Sequence, residues 1–86
     1  MEVTFYGGIT RHTNGDNSFT PDAHATLRGV LEELSDEYGE EFKAFLHGNE
    51  TCIFLINGQG VMMSGGLDSP VCVGDKIEIL PFVDAG

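Results

Sequence analysis

Residues 27–38 place Leu27, Val30, Leu31, Leu34 and Tyr38 at i, i+3, i+4, i+7 and i+11, a spacing that puts all five on one face of an α-helix. The remaining face carries Arg28, Glu32, Glu33, Asp36 and Glu37, so this helix must bury one stripe and leave the other in water. On both sides of the segment the apolar period switches to two. One amphipathic helix among strands has no helical partner of its own length, and its stripe has to lie on a sheet, which makes the chain α+β. Thr26 stands before the stripe as an N-cap candidate, and Gly39 follows where a left-handed C-cap residue belongs.

The strands can be read in order. Glu2 to Tyr6 alternates, with Val3 and Phe5 facing inward, and the Gly7-Gly8 pair ends it in a turn. Ile9 to Asn17 is polar and contains Asn14-Gly15-Asp16, a hairpin signal. Ser18 to Pro21 then reads as a short edge strand, since Pro21 has no N–H for a central ladder. Beyond the main helix, Phe42, Phe45 and Leu46 form a second short apolar patch, read as a helical turn that caps the core. Cys52 to Ile56 is apolar throughout, which marks a strand covered on both faces or one whose outer face meets a partner. Asn57-Gly58 closes it with a hairpin signal and leads to a short return strand around Gly60 to Met63. After the irregular stretch from Ser64 to Val73, Gly74-Asp75 turns into a last strand, Lys76 to Leu80, with Ile77 and Ile79 inward. Pro81 is expected to stop that ladder, so that the chain leaves the sheet with Phe82 and Val83 as its last apolar groups.

Several functional classes are excluded or disfavoured at this level. Fourteen acidic residues against four basic ones give a net charge of −10, the wrong sign for a nucleic-acid footprint. Such acidity serves solubility and leaves room for a basic protein partner. No apolar run approaches the length of a membrane span, and no basic leader precedes an apolar stretch, so a cytoplasmic protein is expected. Cys52 and Cys72 both sit in apolar runs and read as buried, unbridged thiols. His12, His24 and His47 are scattered without a pair at i, i+4 or a neighbouring cysteine, so no metal site is expected. Gly58-Gln59-Gly60 lacks the third glycine of a dinucleotide fingerprint and precedes a strand, and Gly7-Gly8 lacks the Lys-Ser/Thr sequel of a phosphate loop. Met62-Met63 fits an interface patch or core filling. At 86 residues the chain is one small domain, 1–86, with no second domain to build a cleft, and an independent enzyme is not expected.

The helix from Ala25-Thr26-Leu27 to Leu34, the Ile56-Asn57-Gly58 turn and the run from Leu67-Asp68 through Val73-Gly74-Asp75-Lys76-Ile77-Glu78-Ile79-Leu80-Pro81-Phe82-Val83 resemble the MoaD/ThiS family of ubiquitin-like sulfur carriers. The resemblance covers nearly the whole chain. It implies a β-grasp fold, a mixed sheet of four to five strands on one main helix, with the first and last strands as parallel neighbours and a flexible tail over about 82–86. It also implies a carrier rather than an enzyme. An E1-like ATP-dependent activating enzyme adenylates the terminal carboxylate, here that of Gly86, and sulfur replaces the adenylate to give a thiocarboxylate. The sulfur then passes to a cofactor precursor on the large subunit of molybdopterin synthase or to another acceptor. Pro81, Phe82, Val83, Asp84 and Ala85 match the partner-binding approach, and the carrier itself binds no cofactor, the ATP being used by the activating enzyme. Two departures stand out: Ala85 replaces the first glycine of the usual Gly-Gly end, and Pro81-Phe82 replaces Pro-Pro. Three functions follow: a sulfur carrier for molybdopterin or a related cofactor, a protein modifier conjugated through Gly86, or an interaction module that keeps only the fold.

Overall fold

The computed structural model describes residues 1–47, 52–61 and 66–81. β1 (Glu2–Phe5), β2 (Ser18–Phe19), β3 (Cys52–Ile56), β4 (Gln59–Gly60) and β5 (Lys76–Pro81) form one mixed sheet in the order β2-β1-β5-β3-β4. β1 and β5 run parallel, with Val3 opposite Ile77 and Phe5 opposite Ile79. The β1–β2, β3–β4 and β3–β5 pairs are antiparallel. A mixed sheet whose first and last strands are parallel neighbours, joined by a crossing helix, is the β-grasp arrangement expected from the sequence.

α1 (Leu27–Tyr38) and α2 (Glu40–His47) cover one face of the sheet. Leu27, Val30, Leu31 and Leu34 point from α1 onto Val3, Phe5, Ile77 and Ile79, and α2 adds Phe42 and Leu46, all of them buried. Phe42 meets Tyr38 and Phe5 edge to face, with ring centroids 5.4 and 6.1 Å apart, so the second apolar patch is an integral wall of the core and more than a cap. Leu31 is 4% exposed, and Leu31→Ala is expected to cost about 2–5 kcal/mol of unfolding free energy by removing buried methyl groups and leaving a cavity. Denaturant unfolding measures this; a cost well under that range with the protein still folded would mean that the α1 stripe does not form the core.

Four local expectations are revised. The β1–β2 connection is a 3₁₀ helix, Gly7–His12, followed by a turn, because Ile9 tucks fully into the core and holds the loop against the sheet. Thr13, also buried, accepts no role as a solvent-facing turn residue; its hydroxyl donates to the Asp16 carbonyl at 2.7 Å. Thr26 does occupy the N-cap position, yet its side chain makes no capping bond. The orphan N–H of Leu27 instead donates to the Ser69 carbonyl at 3.0 Å, and Thr26 bridges Pro70, so the segment before β5 caps the helix from outside. Gly39 ends α1 with φ +98° and ψ −175°, positive but extended rather than left-handed helical, which allows α2 to start at Glu40 without a loop. β2 and β4 are two residues each, shorter than read, and the return strand's Met62 and Met63 lie outside the described residues.

Candidate functional site

The end of β5 is where the sheet hands the chain over to its last residues. Backbone groups in a parallel pair alternate sides, and the Tyr6 N–H donates to the Ile79 carbonyl at 3.1 Å, so odd-numbered residues of β5 face β1. Pro81 is the next of these, and its missing N–H falls where β1 has already turned into the 3₁₀ helix. The proline therefore costs the ladder nothing, and β5 runs through Pro81, opposite Cys52, one residue further than Leu80. The Pro81 ring packs on Gly7, where a Cβ would lie 3.0 Å from Pro81 Cγ and 3.5 Å from Cδ. Phe82, Val83, Asp84, Ala85 and Gly86 lie outside the described residues. Of the six site residues read from the sequence, the structure thus places Pro81 alone.

Among the described residues nothing covers the face of the sheet away from the helices. Ile53 and Leu55 of β3 alternate onto it, and Ile53 sits directly opposite Leu80 while Leu55 sits opposite Glu78. Ile53 is 40% exposed, and Leu55 and Leu80 are half-buried. Tyr6 borders this row and donates its hydroxyl to Glu78 Oε2 at 2.7 Å, a bond to the carboxylate that, with the adjacent negative charge, raises the phenol above its ordinary range. The continuous apolar run 52–56 divides by alternation: Cys52, Phe54 and Ile56 pack on the core, and Ile53 and Leu55 face away from it. The result is a short apolar row that reaches the root of the tail.

The opposite end of β5 is a rigid polar clasp. Asn57 and Gly58 turn β3 into β4 with positive φ at both residues, the geometry that Asn-Gly supplies at low strain. Asn57 Nδ2 donates to Asp75 Oδ1 at 3.0 Å, Asn57 Oδ1 accepts from the Lys76 N–H at 3.0 Å, and the Cys72 N–H donates to Asp75 Oδ2 at 2.7 Å. The Asn57 amide and then the Cys72 N–H hold the Asp75 carboxyl below its usual range. The clasp fixes where β5 starts, and the β5 pairing fixes where it ends.

Other chemistry-bearing residues do not assemble. Cys72 is exposed and Cys52 half-buried, which corrects the expectation of buried thiols, and neither is in a disulfide. His24 Nε2 pairs with Glu33 Oε1 at 2.6 Å and His12 stacks on Phe45 at 4.5 Å, both structural contacts. Among the described residues no group of three or more His, Cys, Asp or Glu could hold a metal ion. No helix among them is long and apolar enough to cross a membrane.

With this geometry in hand, the family can be assigned. The ThiS family model matches residues 3–86, which spans the sheet, both helices and the tail. The chain belongs to the ThiS family. Three solved structures illustrate the breadth of what it resembles. CysO in the BexX/CysO complex of Amycolatopsis orientalis is 24% identical, with a TM-score of 0.82 over 99% of this chain and 98% of that one. CysO of Mycobacterium tuberculosis is 25% identical, with a TM-score of 0.81 over 95% and 98%. The small archaeal modifier protein 1 of Methanosarcina acetivorans is 25% identical, with a TM-score of 0.78 over 99% and 94%. No curated protein matches the sequence at a significant level. As a ThiS-family member the chain is a small ubiquitin-like carrier or modifier and not itself an enzyme.

Proposed function

We propose that this protein is a sulfur carrier that works through the carboxylate of Gly86, with a molybdopterin precursor as the acceptor of its sulfur. The observation that carries the reading is the ThiS-family match through residue 86, on a fold whose last strand ends at Pro81 beside an apolar row that no described residue covers. A carboxylate oxygen of Gly86 attacks the α-phosphorus of ATP in the activating enzyme and pyrophosphate leaves. A hydrosulfide-level nucleophile then attacks the acyl carbon, AMP leaves, and the terminus becomes a thiocarboxylate. Both steps need the terminus inside a narrow site, and a tail ending in Ala85-Gly86 brings little side-chain bulk there. Ile53, Leu55 and Leu80, continued by Phe82 and Val83, form the docking surface for the activating enzyme and for the large subunit of the synthase. No group on this chain needs to act as acid, base or metal ligand in either step.

Conjugation is the second reading, favoured by the 25% identity to a small archaeal modifier protein. It shares the adenylation step and differs in the nucleophile, a lysine amine of another protein in place of sulfur. Intact mass of the protein recovered from its native host separates the two. Replacement of one oxygen by one sulfur at Gly86 is the expected result; isopeptide-linked adducts without that species would make the modifier reading the better one, and an unmodified terminus in a host active in sulfur transfer would leave neither.

A further inference from the structure

We infer that Glu78 selects the partner of the outer sheet face: it pairs with an arginine that the activating enzyme lays across Tyr6 and the row of Ile53, Leu55 and Leu80. The inference rests on the carrier reading, in which that enzyme docks on this face. β5 is the middle strand of the five, so its outward residues lie at the centre of the face. Glu78 is the central one of these, with Lys76 and Leu80 on either side along the strand, Leu55 opposite on β3 and Thr4 opposite on β1. Glu78 is half-buried, and its carboxylate is held by a neutral group, the Tyr6 hydroxyl, which donates to Oε2 at 2.7 Å. No cation balances it. Among the described residues the ion pairs are His24–Glu33 and Arg28–Asp68, and Lys76, although two residues away on the same strand face, forms none.

An uncompensated carboxylate at the centre of an apolar row is tolerated while water reaches it. A partner that closes over Ile53, Leu55 and Leu80 strips that water, and a buried charge left without a counter-charge opposes binding. The partner surface therefore brings a cation to this point. A net charge of −10 draws basic surfaces at long range; Glu78 fixes where one of their side chains lands. Arginine fits better than lysine for two reasons. Its guanidinium is the more weakly hydrated cation and leaves water more readily, and it stacks on an aromatic face, which the Tyr6 ring, 36% exposed beside the carboxylate, offers. The Tyr6 hydroxyl occupies one carboxylate oxygen and leaves Oε1, unbonded among the described residues, for the guanidinium.

The sign of one substitution separates this arrangement from simple apolar docking. If the face docked through its apolar row alone, Glu78→Leu would enlarge that row and remove a charge that has to be dehydrated, and binding would tighten. With an arginine seated on Glu78, the same substitution strands the cation against leucine, and binding weakens. Titration calorimetry of the full-length chain with the activating enzyme of the same organism measures the difference. Glu78→Leu and Glu78→Gln are each expected to lower affinity at least tenfold, the glutamine keeping the side chain's size and an oxygen for the Tyr6 hydroxyl. Glu37→Gln, which removes one negative charge from the exposed side of α1 across the sheet, should lower it less than twofold. Phenylglyoxal labelling of the saturated complexes, read by mass spectrometry, should find one arginine of the enzyme that the wild-type chain shields and Glu78→Gln does not. Circular dichroism of the free variants checks the fold; should Glu78→Leu misfold, Glu78→Gln alone decides. A loss of less than tenfold in a folded Glu78 variant, an equal loss in Glu37→Gln and Glu78→Gln, or no arginine with that difference in labelling each overturns the inference while leaving the carrier reading intact. No ATP–pyrophosphate exchange by the wild-type chain would remove the carrier reading, and this inference with it.

Discussion

On the carrier reading proposed above, removal of Gly86 should lower ATP–pyrophosphate exchange with an activating enzyme by about two orders of magnitude or more. The shortened chain ends about 3.3–3.6 Å earlier, several times the misplacement that costs around 10²-fold in a positioned reaction. It also carries the Ala85 methyl group on the reacting residue itself. Ala85→Gly should raise exchange or leave it unchanged, because it frees the backbone next to the reacting carboxylate without removing a side chain larger than methyl. Binding of the deletion variant should stay near the wild-type value, since the apolar row on the sheet remains. A deletion variant that exchanges as well as the intact chain would mean that the terminal glycine carries no chemistry, and the protein would then be an interaction module on a carrier's fold.

The parts of the molecule that a sequence can announce are those with a period. The stripe Leu27, Val30, Leu31, Leu34 is wholly buried on α1, and Val3, Phe5, Ile77 and Ile79 meet it from the sheet, because spacing alone forces those side chains to one face. The connection after β1 has no period, and reading it as a polar hairpin missed Ile9, a single apolar residue whose burial draws the loop into a 3₁₀ helix. Thr26 was legible as an N-cap by type, but its side chain makes no capping bond, and the first N–H of the helix, that of Leu27, goes to the Ser69 carbonyl, a long-range partner that no local window contains. The candidate site divides in the same way. The run 52–56 signals a strand without saying whether both its faces are covered, whereas the pairing of Ile53 with Leu80 depends on register, and the Gly7–Pro81 contact depends on two distant segments meeting in space. Gly7-Gly8 is visible as a turn in the sequence; what it turns against is not.

Ile53→Asp should weaken binding to the activating enzyme about 10²-fold or more while leaving the fold intact. Ile53 is 40% exposed on the side of the sheet away from both helices, so a carboxylate there stays hydrated in the isolated protein and costs its stability little. On docking the same carboxylate would be stripped of water against an apolar partner, and an unpaired buried charge costs several kcal/mol, more than the 2.7 kcal/mol or so that a hundredfold change in affinity represents. The charge itself needs a control, because the chain already carries −10 and any added acid weakens attraction to an acidic partner over long range. Val73 provides it. It is 84% exposed and precedes β5, at the end of that strand remote from Pro81, so Val73→Asp changes net charge by the same amount without touching the apolar row. Titration calorimetry with the activating enzyme should show a large loss for Ile53→Asp and a small, salt-sensitive one for Val73→Asp. Equal affinities for the two variants would take the outer face out of the interface that the carrier reading assigns to it.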